Sequence, residues 1–487
     1  MSLPEDFIAA ARRLFPAGES DAFLQAIETE EPHTSVRLNS AKLRAAAAAG
    51  GKPLMLSPEV EAEQVPWCPS GSYLRERFPF TFDPLFHAGA YYVQEASSMF
   101  LAQLPLSAAT PLRALDLCAA PGGKSTLLRS LLPEGSLLVS NEVVPQRAAV
   151  LCENMQKWGH PDCLVTSARP DEFGRMEGAF DLILADVPCS GEGMFRKDPE
   201  AVAQWSLRNV EQCARRQREI IAAVWPALRG GGLLAYSTCT YNTAENEDNV
   251  RWICRELGAE PVALPAPPEW NLCGSLAADE GDGALPVYRF LPHRARGEGF
   301  FFCLLRKGEG GSAPYALAKP SKGKARAGRN AASPQIAASW LDCLEQGGRS
   351  WQLWGDETCA AAVDERHVAF LRDVQGRGLK VLSAGVPLCV ARGRDLLPHP
   401  ALALSTVLRR DGRFPEAALS YDQALAYLRR ESLQLGPEVP RGIVLLTYAS
   451  VPLGFVKNIG NRSNNLFPAE WRIRTTHLPA QSLSLLA

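Results

Sequence analysis

LDLCAAPGGKS, residues 115–125, decides the fold. Arg113–Leu117 reads as a short apolar strand, a Gly-rich turn follows, and Lys124–Leu132 continues as a helix. Glycines let backbone approach a ligand closely, and a helix start offers unpaired N–H donors. Outward from this point, strands alternate with helices. Leu137–Ser140, Leu164–Thr166, Phe180–Ala185 and Leu233–Ser237 are strand-like; Pro145–Trp158, Val210–Leu228 and Ala244–Leu257 are helical. In Val210–Leu228, Ile220, Ile221, Val224, Trp225 and Leu228 form one stripe, which Gly230-Gly231-Gly232 ends. Tyr288–Leu291 and Phe300–Leu305 read as a closing hairpin. This alternation predicts an α/β fold with a mostly parallel, doubly wound, Rossmann-like sheet.

The Gly-rich turn is not a P-loop. The frame G-x-x-x-x-G-K-[ST] puts Cys118 where the first Gly belongs. The dinucleotide pattern G-x-G-x-x-G is also absent. Glu142 ends the second strand about twenty residues on, where a carboxylate can bind both hydroxyls of a ribose. That favours an adenosine-containing ligand across the strand tips over a merely solvated strand end.

Two further segments reach the same edge. In ADVPCSGEGMFRK, 185–197, the apolar run FDLILA delivers Asp186, and Cys189 sits in the turn stiffened by Pro188 and Gly191. In YSTCTYNTAENEDNV, 236–250, a strand delivers Cys239, and an acidic helix follows. An arbitrary cysteine is usually a small buried hydrophobe. In a strand-tip turn beside an acid, that reading weakens, because ligands in open α/β sheets bind at this edge. Two thiols and one carboxylate without histidine make a poor zinc set. A cysteine nucleophile needs its thiolate, through a lowered pKa or a neighbouring base.

The 487 residues imply more than one domain, and 46% hydrophobic and 21% charged residues are ordinary for a globular chain. With a net charge of −2, nucleic acid would have to be met by local patches. The 13 cysteines are too sparse for a disulfide scaffold, and no C-x-x-C or H-x-x-x-H occurs, so reduced thiols and no metal are expected. No signal-like or membrane-spanning run is present, and a cytoplasmic protein is the expectation. The chain divides into an N-terminal extension, 1–105; the α/β domain, 106–307; a basic linker, 308–335, with Lys319, Lys322, Lys324, Arg326 and Arg329; a small strand-rich unit, 336–405; and a β-rich unit, 406–487, around IVLLTYA and LGFVKNIG. The linker reads as a solvated tether rather than an RNA-touching arm.

CAAPGGK, D-x-PCSG and STCT, in this order and spacing, resemble the Sun (Fmu) family of RNA cytosine-C5 methyltransferases. DPLFHAGAYYVQEASSM at 83–99, FRKDPEAVAQW at 195–205 and GEGFFFCLLRK at 297–307 look like the segments around that catalytic domain. LGFVKNIGNRSNNLFP, 453–468, resembles the C-terminal region of the RsmF-like small-subunit rRNA branch. The resemblance implies a methyltransferase fold that takes S-adenosylmethionine and a PUA-like, RNA-binding C-terminal domain. By it, Cys118, Ala119, Ala120, Pro121, Gly122, Gly123 and Lys124 hold the methionine part of the cofactor; Glu142 takes the ribose, with Arg147 nearby; Asp186 faces cofactor and base; Cys239 is the nucleophile; and Cys189 assists product release. The family often has an acid for the adenine after the third strand, where this chain has Ala168; Asp171 is a nearby candidate, and the adenine contact stays open. The expected partner is rRNA of the small subunit, with 16S rRNA as substrate of a monomeric enzyme.

The chemistry agrees with that assignment. Cytosine C5 is too weak a nucleophile for a methyl sulfonium until a thiolate adds at C6. Asp186 can bond N3 and offset the charge that develops there, and the base must reach a pocket, single-stranded or flipped. The alternatives are a tRNA methyltransferase, a DNA-type enzyme attacking through Cys189 of Pro188-Cys189, and a non-catalytic RNA-binding factor, which would need a broken site. In the tail, Arg441, Lys457, Arg462, Arg472 and Arg474, with Asn461, Asn464, Asn465, Phe467 and Trp471, suit backbone contact and stacking.

Overall fold

The computed structural model describes residues 3–107, 109–277, 285–310, 315–317, 338–355, 358–393, 395–475, 477–479 and 481–487. The basic residues of the linker lie outside them. The central sheet contains β1 (Arg113–Asp116), β2 (Leu137–Asn141), β3 (Cys163–Ser167), β4 (Phe180–Asp186), β5 (Leu228–Thr238), β6 (Ala259–Val262), β7 (Val287–Phe290), β8 (Phe300–Lys307) and β9 (Lys380–Ala384). Its order is β6-β8-β5-β4-β1-β2-β3-β9, with β7 paired to β8. The strands from β5 through β4, β1 and β2 to β3 are parallel, and β8 and β9 flank them antiparallel. Leu115, Ile183 and Leu234 face one core layer with Phe173, Ile221 and Ile253; Leu138, Leu182 and Ala235 face the other with Phe100, Leu128 and Leu151. Burial on both faces explains the continuous apolar runs, and each such large side chain contributes about 1.5–3 kcal/mol.

The helices α1 (Gly123–Leu131), α2 (Pro145–Trp158), α3 (Leu207–Val224) and α4 (Glu247–Leu257) include two boundary differences from the periodicity. The α3 helix ends at Val224 rather than Leu228, because Pro226 lacks an N–H for the ladder and its ring clashes one turn back. The triple glycine then belongs to β5, which starts at Leu228 and carries a register shift opposite Phe180 and Leu182.

The flanking units are tied to this sheet and to each other. The helices Glu5–Leu14 and Ala17–Thr29 pack on the catalytic side, with Phe7 5.0 Å from Phe195 and 5.4 Å from Trp205 between ring centroids. An N-terminal sheet runs in the order Ala62–Gln64, Gly71–Leu74, Thr34–Leu38, Tyr91–Val93. A C-terminal sheet contains Glu416–Ala418, Gly442–Tyr448, Val451–Asn458 and Ser463–Asn465. Val36 and Tyr91 of the first, with Leu85 of the helix Pro84–His87, share one core with Val444 and Leu446 of the second and Leu425 of the helix Tyr421–Leu428. The small unit between contributes β9 to the central sheet. Its Arg349 reaches Asp162 at 2.6 Å.

The expected stacking residues of the tail divide. Phe467 is buried against Tyr427, ring centroids 5.3 Å apart, and Asn465 donates to the Tyr427 carbonyl. Both hold the domain together. Arg462, Arg472, Arg474, Asn461 and Asn464 are exposed. Among the described residues, no helix is long and apolar enough to cross a membrane.

Candidate active site

The carboxyl ends of β1, β4 and β5 open on a cleft of about 340 Å³. Its walls include Cys118, Ala119, Ala120, Pro121, Gly123, Lys124, Asp186 and Cys239, with Tyr92 to Glu95 of the N-terminal sheet and Glu298 to Phe300 opposite. Gly122 is outside this lining; it caps α1 with φ of 118°, a left-handed conformation that glycine adopts without strain.

Asp186 is held at both oxygens. Lys124 Nζ donates to Oδ2 at 2.9 Å, and Ser237 Oγ donates to Oδ1 at 2.7 Å. Burial pulls the Lys124 ammonium down, yet Asp186 outweighs it and holds the pKa above the ordinary value. Beneath the loop, Asp116 is fully buried and accepts from Ser125 Oγ at 2.6 Å, while Oδ1 has no hydrogen-bond partner. Burial pushes Asp116 up to about 7.

Cys189 and Cys239 meet, Sγ to Sγ at 3.1 Å. Cys239 lines the cleft and Cys189 does not. The Cys189 thiol is held well above its ordinary pKa, first by its hydrogen bond with Cys239 and then by burial. Burial also raises Cys118, with Asp116 and Asp186 adding to it.

Three residues that the sequence reading passed over lock the two cysteine turns together. Glu192 accepts from the backbone of Tyr241 at 2.6 Å and Asn242 at 3.0 Å, and from Trp205 Nε1 at 3.0 Å. Glu245 accepts from Ser190 N at 3.0 Å and Gln217 Nε2 at 2.7 Å. Asn242 Nδ2 donates to both carboxylates, at 3.0 Å to Glu192 and 2.8 Å to Glu245. The available signal was proximity to Cys189 and Cys239. The segment was instead read as the start of an acidic helix; α4 begins only at Glu247, and Glu245, Asn246 and Glu247 are all buried. Gly193 completes the junction, for a Cβ there would lie 2.9 Å from the Gly299 carbonyl and 3.0 Å from that of Cys239.

On the cofactor side, Glu142 is 3% exposed at the tip of β2. Its Oε1 accepts from Val144 N at 3.0 Å, and its Oε2 has no hydrogen bond, only Arg147 Nη1 at 3.4 Å. Arg147 also donates to the Ala120 carbonyl at 3.0 Å, which ties it to the Gly-rich loop. An unsatisfied buried carboxylate oxygen beside this loop suits a ribose diol, so these residues fit an adenosine cofactor. Asn141 binds the tips of three strands through Leu117 O, Ala168 O and Thr166 Oγ1. Ala168 is buried, whereas Asp171 is partly exposed and paired with Arg169 and Arg175.

Glu134, His160 and Asp162 lie close enough together to offer three metal-ligand atoms. Arg349 already binds Glu134 and Asp162 there, so the charge those acids carry is met by a guanidinium.

Comparison with known proteins agrees along the chain. Residues 3–96 match the N-terminal domain of 16S rRNA methyltransferase RsmF, 105–306 match 16S rRNA methyltransferase RsmB/F, and 414–473 match the methyltransferase RsmF PUA domain. Among solved structures, PH0851 superposes with a TM-score of 0.52 at 24% identity, over 63% of this chain and 66% of that one, a likeness of fold. The ribosomal RNA small subunit methyltransferase F of Serratia proteamaculans is 31% identical, and that of Cronobacter sakazakii 30%, each covering 96% of both chains. With such identity over nearly its whole length, the chain belongs to the ribosomal RNA small subunit methyltransferase F family.

Proposed function

We propose that this enzyme methylates carbon 5 of a cytosine in 16S rRNA through a covalent bond between Cys239 and carbon 6. The family's activity is rRNA methylation, and S-adenosylmethionine supplies the methyl group as an electrophilic sulfonium methyl. Cys118–Lys124, Glu142, Arg147 and Asp186 are the residues that would hold it.

The Cys239 thiolate adds to C6, forming the S–C6 bond. The C5=C6 electron pair moves toward C5 and N3, which makes C5 nucleophilic. Asp186 in its protonated form donates a hydrogen bond to N3, and the Lys124 ammonium, 2.9 Å from Asp186, offsets the charge that develops there. Once C5 carries the methyl group, its proton leaves to a base. The C5–H electrons re-form the C5=C6 bond, and the S–C6 pair returns to Cys239. Cys189, 3.1 Å away, serves that release.

The observation that carries this reading is the pair of thiols beside Asp186, with only Cys239 lining the cleft. It disfavours attack by Cys189, whose raised pKa keeps it a thiol. The test is bisulfite sequencing of 16S rRNA from cells with and without the gene. At least one cytosine should lose its protection when the gene is absent; an unchanged pattern overturns the reading.

A further inference from the structure

A second cavity, of about 820 Å³, adjoins the catalytic cleft. The two share Val93, Gln94, Glu95 and Glu298 as walls, so they lie side by side. We propose that this groove, between the N-terminal sheet and the turn after Cys189, carries the single-stranded RNA backbone next to the target cytosine, with Arg77 and Arg196 contacting phosphate. The inference rests on the reading of an RNA cytosine methyltransferase and adds the path of its substrate.

The first argument is space. A cleft of about 340 Å³ accommodates a base but not the chain attached to it. The flanking nucleotides must leave through the mouth, and the groove begins at that wall. The second is charge. Arg75, Arg77, Arg196 and Lys197 line the groove together with Glu30, Glu31, Glu95 and Glu298. Two of the acids are satisfied internally. Glu95 accepts from Ser97 N and Ser98 N at 2.9 Å and from Glu298 N at 3.1 Å, and Glu298 pairs with Lys197. Arg75 pairs with Glu61 on the exposed rim, an ion pair worth little in solvent.

Of the bases Arg77 and Arg196 remain, and of the acids the exposed Glu30 and Glu31. Arg77 is exposed and has no ion pair among the described residues. Arg196 donates to the Gly297 carbonyl, but its Nε is buried without a hydrogen-bond partner. A guanidinium that lines the groove next to the cleft suits a phosphate oxygen. His33 also lines the groove, and after burial Arg296 and Arg196 lower its pKa while Glu30 raises it. Phosphate contacts of this kind position a strand without reading its sequence.

The test uses the full-length protein, a single-stranded 16S rRNA fragment and a salt series. Arg77→Gln and Arg196→Gln should each weaken RNA binding by about threefold to tenfold and reduce the log–log salt slope by about 0.7, the value for one phosphate contact on a single strand. Affinity for S-adenosylmethionine should not move, and Arg196→Lys should retain most of the RNA binding. If Arg196→Gln fails to fold, Arg77→Gln alone decides. Unchanged affinity and slope overturn the proposal. So does an RNA affinity that survives while methylation of assembled subunits alone is lost, because the groove would then take a ribosomal protein. Binding is read without turnover. A wild-type enzyme that binds RNA through these arginines but leaves cytosine C5 unmethylated would sink the proposed function and leave the groove standing.

Discussion

Cys189 Sγ lies 3.1 Å from Cys239 Sγ, although fifty residues separate them in the chain. Each sits in a turn at the carboxyl end of a neighbouring parallel strand, and Asp186 pairs with Ser237 in the register that sets those ends level. The backbone N–H of Cys239 also points at the Cys189 sulfur, at 3.4 Å. The contact raises the Cys189 pKa, which marks this residue as the one that keeps its proton. A thiol is an acid rather than a nucleophile. In the proposed mechanism the pair divides the chemistry between attack and release.

That division predicts different consequences for two alanine variants. Cys239→Ala should abolish methylation while cofactor binding persists. Cys189→Ala should allow attack and methyl transfer but stall release, so that a protein–RNA adduct survives denaturation and runs as a slow band on a denaturing gel. The double variant should lose the band. An adduct formed by Cys239→Ala and absent from Cys189→Ala would reverse the two roles.

The second prediction concerns Asn242, whose Nδ2 joins Glu192 and Glu245 across the two cysteine turns. Hydrogen bonds to buried charged groups contribute about 1.5–3 kcal/mol each. Asn242→Ala removes both and frees the turns to shift, and a displacement near 1 Å at a reacting atom costs about 100-fold in rate. The kcat for methyl transfer should fall by that order, with little change in cofactor affinity measured by calorimetry. A variant with unchanged kcat would show that the cysteine turns are held by other contacts.

The Gly-rich turn, the five parallel strands and the cysteines were legible because each is a local signal: an apolar run, a glycine pair, a residue at a strand tip. The Glu192–Asn242–Glu245 junction was not, because charged residues near a helix start read as solvated until their partners are placed. The same holds for β9. Lys380–Ala384 alternates exposed and half-buried side chains, and nothing local says that it pairs antiparallel with β3, more than two hundred residues earlier. Phe467 and Asn465 were legible as an aromatic and an amide, but their direction, inward against Tyr427, depends on the whole domain.

Asp116 gives a pH-dependent prediction. Its folded pKa, about 7, stands above the ordinary aspartate value of 3.8. A raised pKa means that folding favours the protonated acid. The contribution to stability is therefore complete below the ordinary value and is lost as pH rises through about 7. Asp116→Asn imitates the protonated form. In the cofactor-free protein, the stability of the variant relative to wild type should rise between pH 5 and pH 8, by on the order of 1–3 kcal/mol. Melting curves that stay parallel between those pH values would contradict a buried, ionising Asp116.

Arg349 joins the small unit to the central sheet through Asp162, a side chain with no exposed surface, at 2.6 Å. Burial pushes Asp162 up, but His367, 3.3 Å away, and the bond from Arg349 overcome it and hold the carboxyl below its usual range. Removing one partner of a buried pair leaves an uncompensated charge, at a cost of about 3–5 kcal/mol. Arg349→Ala should destabilise the protein by that amount at pH 7 in a denaturant titration. A depressed acid contributes stability above its unfolded pKa and loses it as pH falls, so the deficit should shrink in acid. A loss under 1 kcal/mol at neutral pH would show that His367 and water suffice.

The last prediction separates packing from RNA contact in the tail. Deleting the chain from residue 406 onward would remove Leu425, Val444, Leu446, Leu485 and Leu486 from the core that holds Val36, Leu85 and Tyr91. It would also remove the Leu485 N–H that donates to Asp83 at 3.0 Å. Exposing several large apolar side chains costs about 1.5–3 kcal/mol each, which exceeds typical domain stability when summed. The truncated protein should therefore aggregate or lose the order of its N-terminal sheet, visible as lost hydrogen-exchange protection at Val36 and Tyr91. Loss of RNA binding in such a protein would say nothing about contact. Charge reversal at exposed positions avoids the difficulty. Arg472→Glu and Arg474→Glu touch no core residue, and among the described residues neither arginine has an ion pair. The double variant should keep the wild-type melting temperature and lower RNA affinity with a reduced salt slope, as expected for lost phosphate contacts. An unaltered RNA affinity across the salt series would assign the tail to holding the N-terminal sheet rather than to binding RNA.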